Sequence, residues 1–294
     1  MAGWTPADMP DQTGRRIIVT GGNSGLGLET VRALAARCAH VVMAVRDTAK
    51  GEAAAAGIAG DVDVRRLDLA DLESVRDFAA KTTDPVDVLV NNAGVMAVPL
   101  LRTADGFEMQ FGTNHLGHFA LTGLLLESIT DRVVVLSSFL HRHGRIRLDD
   151  PNWRHGYRRW HAYAQSKLAN LMFTYELQKR ATAAESPLRA VAAHPGYAAT
   201  NLQSRTESPL ADPLMWLGNR VIAQSARAGA WPTLYAATEP DLPGGWFVGP
   251  DGPGGMRGHP RPVSSSKRSY DDVVQRRLWE LSESLTGVRY HFRV

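Results

Sequence analysis

The chain predicts an α/β fold: one domain over all 294 residues, built on a doubly wound parallel sheet of about seven strands with helices on both faces. Three observations carry this. Short, β-branched apolar runs alternate with longer stretches of helical periodicity. The short runs are apolar almost throughout, as strands covered on both faces are. A glycine-rich segment, Gly21 to Gly27, follows the first run directly and opens onto a helix pattern.

Taken in order, 16–20, 39–45, 62–67, 86–91, 132–137 and 189–193 read as strands, and a short run at 245–248 could extend the sheet edge. Between them 26–38, 50–59, 71–81 and 119–129 read as helices. Strands joined by helical crossovers, which are right-handed, place a ligand at the carboxyl ends of the strands. The core is expected over about 15–250. Past Ala193 the pattern loosens: Pro209 and Pro213 sit among Leu210, Leu214, Met215, Trp216 and Leu217, the pattern of an apolar flap over a pocket at about 200–225. Residues 249–266, rich in Gly, Pro and Ser, read as an exposed loop. A last helix at about 271–285 carries Val274, Leu278 and Leu281 at helical spacing.

Composition narrows the function. With 44% hydrophobic and 21% charged residues the chain has ample core for a soluble globular protein. A formal net charge of +3 argues against nucleic acid as a partner. The single cysteine, Cys38, precludes an internal disulfide, and its neighbours Val31, Leu34 and Ala35 predict a small apolar core residue inside a helix. Residues 1–14 lack a basic start and an apolar stretch, so no signal peptide is expected. No apolar run reaches the length of a membrane anchor. A cytoplasmic protein follows. His141 and His143 stand two apart with no Cys or Glu to complete a set, so no metal site is expected.

Strand 16–19 runs into Thr20-Gly21-Gly22-Asn23-Ser24-Gly25-Leu26-Gly27 and then a helix. In such a turn Gly21 permits the bend, Gly25 lets backbone approach a pyrophosphate, and Gly27 packs helix on strand. The turn backbone through Asn23, Ser24 and Leu26 would hold the phosphates at the helix N-terminus. No Gly-Lys-Ser/Thr closes it as a nucleotide-triphosphate loop would. Cofactor choice falls to the end of the second strand, Val45-Arg46-Asp47. Val45 offers a ribose hydroxyl nothing, whereas the Arg46 guanidinium can hold a 2′-phosphate bidentately, favouring NADP(H) over NAD(H). Asp47 would serve a ribose or cap the next turn. Asp68, with Leu69 beside it, would accept from an adenine amino group or cap its own turn.

Tyr163 and Lys167 lie four apart on a helix pattern, hence on one face. A phenol with a pKa near 10 becomes useful as a base when a cation favours its phenolate. Lys167 supplies one, and Tyr163 can then pass a proton while hydride moves at the neighbouring carbon. Tyr175 and Lys179 repeat the spacing, but Tyr175 joins Leu168, Leu171 and Met172 in a core stripe. The strand ending Ser137-Ser138 offers hydroxyls that can bond a substrate oxygen or cap a turn. A helix start near Asn114 converges on the same end of the sheet.

The ordered set of 20–27, Asn91-Asn92-Ala93-Gly94, Asn114, Ser137-Ser138, Tyr163/Lys167 and Pro195-Gly196 resembles the short-chain dehydrogenase/reductase family, strongly over about 16–200. The resemblance implies a Rossmann fold and a catalytic set of Asn114, Ser138, Tyr163 and Lys167, with the second serine of the pair catalytic. It implies that Asn114 holds a water linking Lys167 to solvent. It puts Asn91, Ala93 and Gly94 on the adenosine ribose side, and Pro195, Gly196 and Thr200 beside the nicotinamide. It further implies a homodimer or homotetramer meeting through the Tyr163 and Phe119 helices. The gap from Ser138 to Tyr163 is about twice what family members commonly have. That length, with Ser-Lys-Leu-Ala-Asn after the tyrosine and Leu-Trp-Glu-Leu-Ser at 278–282, resembles the retinol-dehydrogenase-like branch. The substrate implied is a small apolar carbonyl or alcohol.

The insertion, residues 139–162, holds Arg142, Arg145, Arg147, Arg154, Arg158 and Arg159 with four histidines against Asp149 and Asp150. It reads as a solvated loop with Arg–Asp pairs in preference to a basic rim for an anionic partner. His115 and His118 read as local packing or pocket-wall residues beside Asn114. Trp216, Trp231 and Trp246 would line a substrate pocket, the core or an interface. The expected activity is hydride transfer between NADP(H) and an apolar alcohol, aldehyde or ketone. The alternatives are an idle dinucleotide-binding sensor or scaffold, and a C=C reductase of the same fold.

Overall fold

A computed structural model describes residues 3–196 and 225–292; the expected flap, with Thr200 and Trp216, lies outside them. The strands are β1 (Arg16–Thr20), β2 (His40–Val45), β3 (Asp61–Arg66), β4 (Val86–Asn91), β5 (Ile129–Leu136), β6 (Arg189–Ala193), β7 (Phe247–Pro250) and β8 (Pro260–Pro262). They form one sheet in the order β3-β2-β1-β4-β5-β6-β7-β8, parallel except for the last pair. β8 is one strand beyond the seven expected. A three-residue strand with two prolines carries no alternation to read, and Pro suits an edge, where no ladder amide is needed.

The helices are α1 (Gly25–Ala35), α2 (Thr48–Ala55), α3 (Leu72–Ala80), α4 (Met109–Phe111), α5 (Gly117–Leu125), α6 (Arg159–Ala183), α7 (Ala226–Gly229), α8 (Trp231–Thr238) and α9 (Asp272–Thr286), with a π-helical turn at Gly112–Leu116. The strand pleat divides the core into two layers. Ile18, Leu89, Val133 and Val135 pack beneath α3, α5 and α6, while Ile17, Val19, Val88, Val90 and Val134 pack beneath α1 and α8. The order reverses between β1 and β4, so the loops leaving these two strands face each other across the switch point.

Cys38 is exposed with φ of 66° and is not a core residue. α1 ends with Ala39 N–H donating to the Leu34 carbonyl and Cys38 N–H to that of Ala35, the paired bonds of a Schellman stop. Cys38 occupies the left-handed position that glycine usually takes, and its side chain is thereby turned to solvent.

α9 lies against α6 and α5, the face on which a dimer was expected. Leu278, read from the sequence, is buried together with Gln275, Trp279, Ser282 and Thr286, while Val274 and Leu281 are half-buried and Val274 packs at the edge of the core. Trp279 stacks on Phe173 at 5.9 Å and meets Phe119 edge-on at 5.1 Å. Tyr290, after the helix, closes over Phe119 and donates from its hydroxyl to the Phe119 carbonyl. This face is filled from within the chain. No helix among the described residues is long and apolar enough to cross a membrane.

Candidate active site

β1 delivers the chain into the glycine turn. Gly21 has φ of +66°, a conformation open to glycine. A Cβ on Gly27 would stand 2.3 Å from the Gly21 carbonyl oxygen, so the helix packs on the turn only without one. Ser24 is the N-cap of α1 and makes no side-chain cap bond, which leaves the first amides of the helix without an internal acceptor. A turn with that backbone and those free donors fits a dinucleotide pyrophosphate.

The turn is braced from β4. Asn92 Nδ2 donates to the Thr20 carbonyl at 2.7 Å, and the amides of Asn92 and Ala93 both donate to the Thr20 hydroxyl at 2.9 Å. Gly94 comes so near the site that a Cβ would lie 3.0 Å from Asn114 Oδ1 and 3.5 Å from Lys167 Nζ. Asn91 differs from the expectation for its side chain, which is buried against α5 and donates to Thr122 Oγ1 at 2.9 Å. Inward direction at the strand end gives the reason.

Arg46 is exposed at the end of β2, and Asp47 is the N-cap of α2, accepting from Lys50 N and pairing with Lys50 Nζ at 2.9 Å. Of the two roles open to Asp47 the structure displays the cap. Asp68 accepts from Ala70 N at 3.0 Å, a turn bond, and Leu69 is buried against Gly117.

β5 ends at the serine pair, and the two hydroxyls do different things. Ser137 is buried and donates to the Lys167 carbonyl at 2.8 Å, fixing α6 to the strand. Ser138 is half-buried, and its hydroxyl accepts from Leu140 N. Tyr163 is 5% exposed; burial pushes its phenol up to about 12, partly offset by Ser138. Burial likewise brings the Lys167 ammonium down to about 8. Its Nζ lies 5.8 Å from the Tyr163 ring centroid and donates to the Leu136 carbonyl at 3.1 Å. With its phenol pushed up by burial, Tyr163 carries its proton at neutral pH.

Asn114 sits in the π-helical turn, a local widening often found where a helix serves a site. Its side chain is fully engaged: Oδ1 accepts from Val95 N, and Nδ2 donates to the Val95 carbonyl and to Ser166 Oγ. Its main-chain carbonyl accepts from His118 Nδ1 at 3.0 Å. His118, read from sequence as packing or pocket wall, also meets Thr20 and so spans the two loops. His141 likewise does more than its spacing suggested, donating from Nδ1 to the Ser138 carbonyl at 2.6 Å and accepting at Nε2 from Ser266 N. Burial brings both rings down to about 4, and both are neutral. The signal for His118 was its place one turn after Asn114; His141 had none. Tyr175 is buried, as expected, with its hydroxyl on Ser265. Pro195 and Gly196, the latter with φ of +67°, follow β6 at the same end of the sheet. Among the described residues no cluster of His, Cys, Asp or Glu is arranged to hold a metal.

The family model for short chain dehydrogenases matches residues 15–210. The chain is 41% identical to human retinol dehydrogenase 13, covering 94% of this chain and 85% of that one. It is 39% identical to polyprenol dehydrogenase of Danio rerio, covering 96% and 90%. Among solved structures, an uncharacterised protein from Mycobacterium paratuberculosis superposes with a TM-score of 0.87 at 54% identity, over 99% of this chain and 100% of that one. A structure from Beutenbergia cavernae described as an NAD(P)-dependent gluconate 5-dehydrogenase, with NADP bound at low occupancy, matches at 25% identity and a TM-score of 0.59, covering 77% and 90%. The chain belongs to the short-chain dehydrogenase family, similar within it to the retinol dehydrogenases, and is an oxidoreductase.

Proposed function

We propose that the protein transfers hydride between NADP(H) and a small apolar alcohol, aldehyde or ketone, with Ser138, Tyr163 and Lys167 carrying the proton. The observation behind this is the buried Tyr163 phenol at the carboxyl end of β5, where the Ser138 hydroxyl partly offsets its burial and Lys167 Nζ lies 5.8 Å from the ring centroid. When bound, the nicotinamide supplies or accepts the hydride. Ser138 holds the substrate oxygen, and the protonated Tyr163 donates to it in the direction of reduction. In oxidation Tyr163 takes the proton, and the ammonium of Lys167 stabilises the phenolate. Asn114 positions the lysine by tying the loop after β4 to α6 through Ser166. Arg46, exposed and in no ion pair among the described residues, supports NADP(H), since Asp47 is committed to α2.

The apolar substrate class rests on the likeness to the retinol and polyprenol dehydrogenases. A homo-oligomer would have to form through a face other than α5–α6, which α9 covers. The test follows NADPH absorbance over a panel of aldehydes, ketones and retinoids. Turnover lost in Tyr163→Phe with NADPH binding retained supports the assignment; unchanged turnover removes it. NADPH binding without turnover of any carbonyl in the wild type would leave a dinucleotide-binding sensor.

A further inference from the structure

The insertion between Ser138 and Tyr163 is left over by this chemistry, and it is not a loose loop. Trp153 is buried under the Arg147 guanidinium, 4.3 Å from its ring, and Asp150 pairs with Arg147. Asn152 accepts from Glu108 N and, at its carbonyl, from Arg102. The Tyr157 hydroxyl donates to the Val98 carbonyl and accepts from Gln110 Nε2. These bonds lay the insertion against the loop after β4, forming one collar beside the site.

Arg102, Arg154, Arg158 and Arg159 are exposed on this collar and take part in no ion pair among the described residues. Leu100, Leu101 and Trp160 stand between them at 40–50% exposure. Phe139, with Arg142 over its ring at 5.4 Å, continues the rim. Among the described residues the exposed acids nearby are Asp149 and Asp105, and Asp105 is bonded to Leu72 N. A second feature points outward. α6 opens with Arg158 as N-cap and Arg159 in the first turn, without an acid there. Cations at a helix N-terminus oppose its dipole, so this arrangement is unfavourable within the fold and relieved by an external anion.

We propose that this collar seats on an anionic lipid bilayer, presenting the mouth of the site to an apolar alcohol or aldehyde dissolved in the lipid. The proposal rests on the apolar substrate read for the same site. Arginines gain near a negative surface, while Trp and Leu side chains placed singly among them enter the headgroup boundary. A folded acidic protein would call for a continuous packed patch, and a nucleic acid gains nothing from exposed leucines.

Co-sedimentation with vesicles tests it, using phosphatidylcholine alone and an equal mixture with phosphatidylglycerol. The full chain is expected to bind the mixed vesicles, weakly or not at all the neutral ones, and less as salt rises. Arg154→Glu/Arg158→Glu/Arg159→Glu should lower partitioning by at least about tenfold, and Leu101→Ser/Trp160→Ser should lower what binding survives at high salt. Turnover of a short, water-soluble aldehyde should be retained in both variants, which certifies their folding. Equal binding to both vesicles, no binding, binding to heparin alone, or a charge-reversed variant that sediments like the wild type would overturn the proposal. Vesicle binding with no carbonyl turned over would instead sink the reading of the site and leave the collar standing.

Discussion

The hydroxyl of Thr20 and the Nε2 of His118 stand 2.9 Å apart, joining the last residue before the glycine turn to the helix that carries Asn114. The roles are fixed by valence. His118 Nδ1 faces the Asn114 carbonyl, which can only accept, so the proton is on Nδ1 and Nε2 accepts from Thr20. Thr20 in turn takes the amides of Asn92 and Ala93. One neutral ring therefore sets the spacing between the dinucleotide turn and the lysine's support.

Replacing His118 by Phe leaves the Thr20 hydroxyl and the Asn114 carbonyl short of a partner in a buried place. A loss of ~2–4 kcal/mol is expected in urea unfolding. NADPH affinity should fall as well, because Thr20 bears directly on the turn. His118→Gln, which keeps a donor, should recover part of both; equal losses in the two variants would mean that only the ring's volume matters.

Four buried histidines set the acid limit. His115 and His194 are brought down to about 3, and His118 and His141 to about 4, all by burial from an ordinary value of 6.5. Below pH 6.5 the unfolded chain takes up protons that the folded one refuses, so stability is present above 6.5 and drains away as pH falls toward 4. Each ring contributes a slope of up to ~1.4 kcal/mol per pH unit within its window. Thermal melts from pH 7 to 5 should show Tm dropping steadily, and His115→Phe should make the drop shallower. A Tm flat to pH 5 would contradict the burial of these rings.

The same sign argument applies to catalysis. Lys167 is charged below about 8 and neutral above, while Tyr163 keeps its proton to about 12. If the ammonium serves the reaction, kcat/KM for reduction falls as pH rises through about 8, with the phenol still able to donate. Tyr163→Phe should lower kcat by ~10²–10⁴ with little change in NADPH affinity. A profile level from pH 7 to 10 would remove the lysine's charge from the mechanism.

Arg46→Ala tests the cofactor choice. Losing a charge-assisted bond to the 2′-phosphate should raise KM for NADPH by ~10–100-fold and leave NADH nearly unchanged. Equal effects on the two cofactors, or none, would withdraw the role given to Arg46.

What the sequence made legible was local and periodic. The glycine turn, the apolar strands and the Tyr163/Lys167 pair are short patterns whose geometry follows from spacing, and the structure brings them to one end of the sheet. Contacts between distant segments were not legible. Nothing near His141 announces Ser266, and nothing in the insertion announces that Asn152 will bond Glu108 and Arg102. Cys38 misled because a Schellman stop reads as helix until its last residue turns left-handed. In α9 the apolar Leu278 was legible, but not the buried polar residues in its stripe, since Ser282 meets His115 and Gln275 meets Lys179, both from elsewhere in the fold.

That stripe supports the last prediction. Trp279 is 2% exposed and fills the space between Phe119, Phe173 and Tyr290, with Arg180 over its ring at 4.5 Å. Trp279→Ala should cost ~3–5 kcal/mol by opening a cavity there. Trp279→Phe should cost less, since the indole N–H has no acceptor to lose. Because α9 covers the face of α5 and α6, loosening it also uncovers Phe119 and Phe173. The alanine variant should therefore self-associate where the wild type does not use this face, which sedimentation velocity would register. An alanine variant as stable as the wild type, with unchanged sedimentation, would mean that α9 does not hold that face.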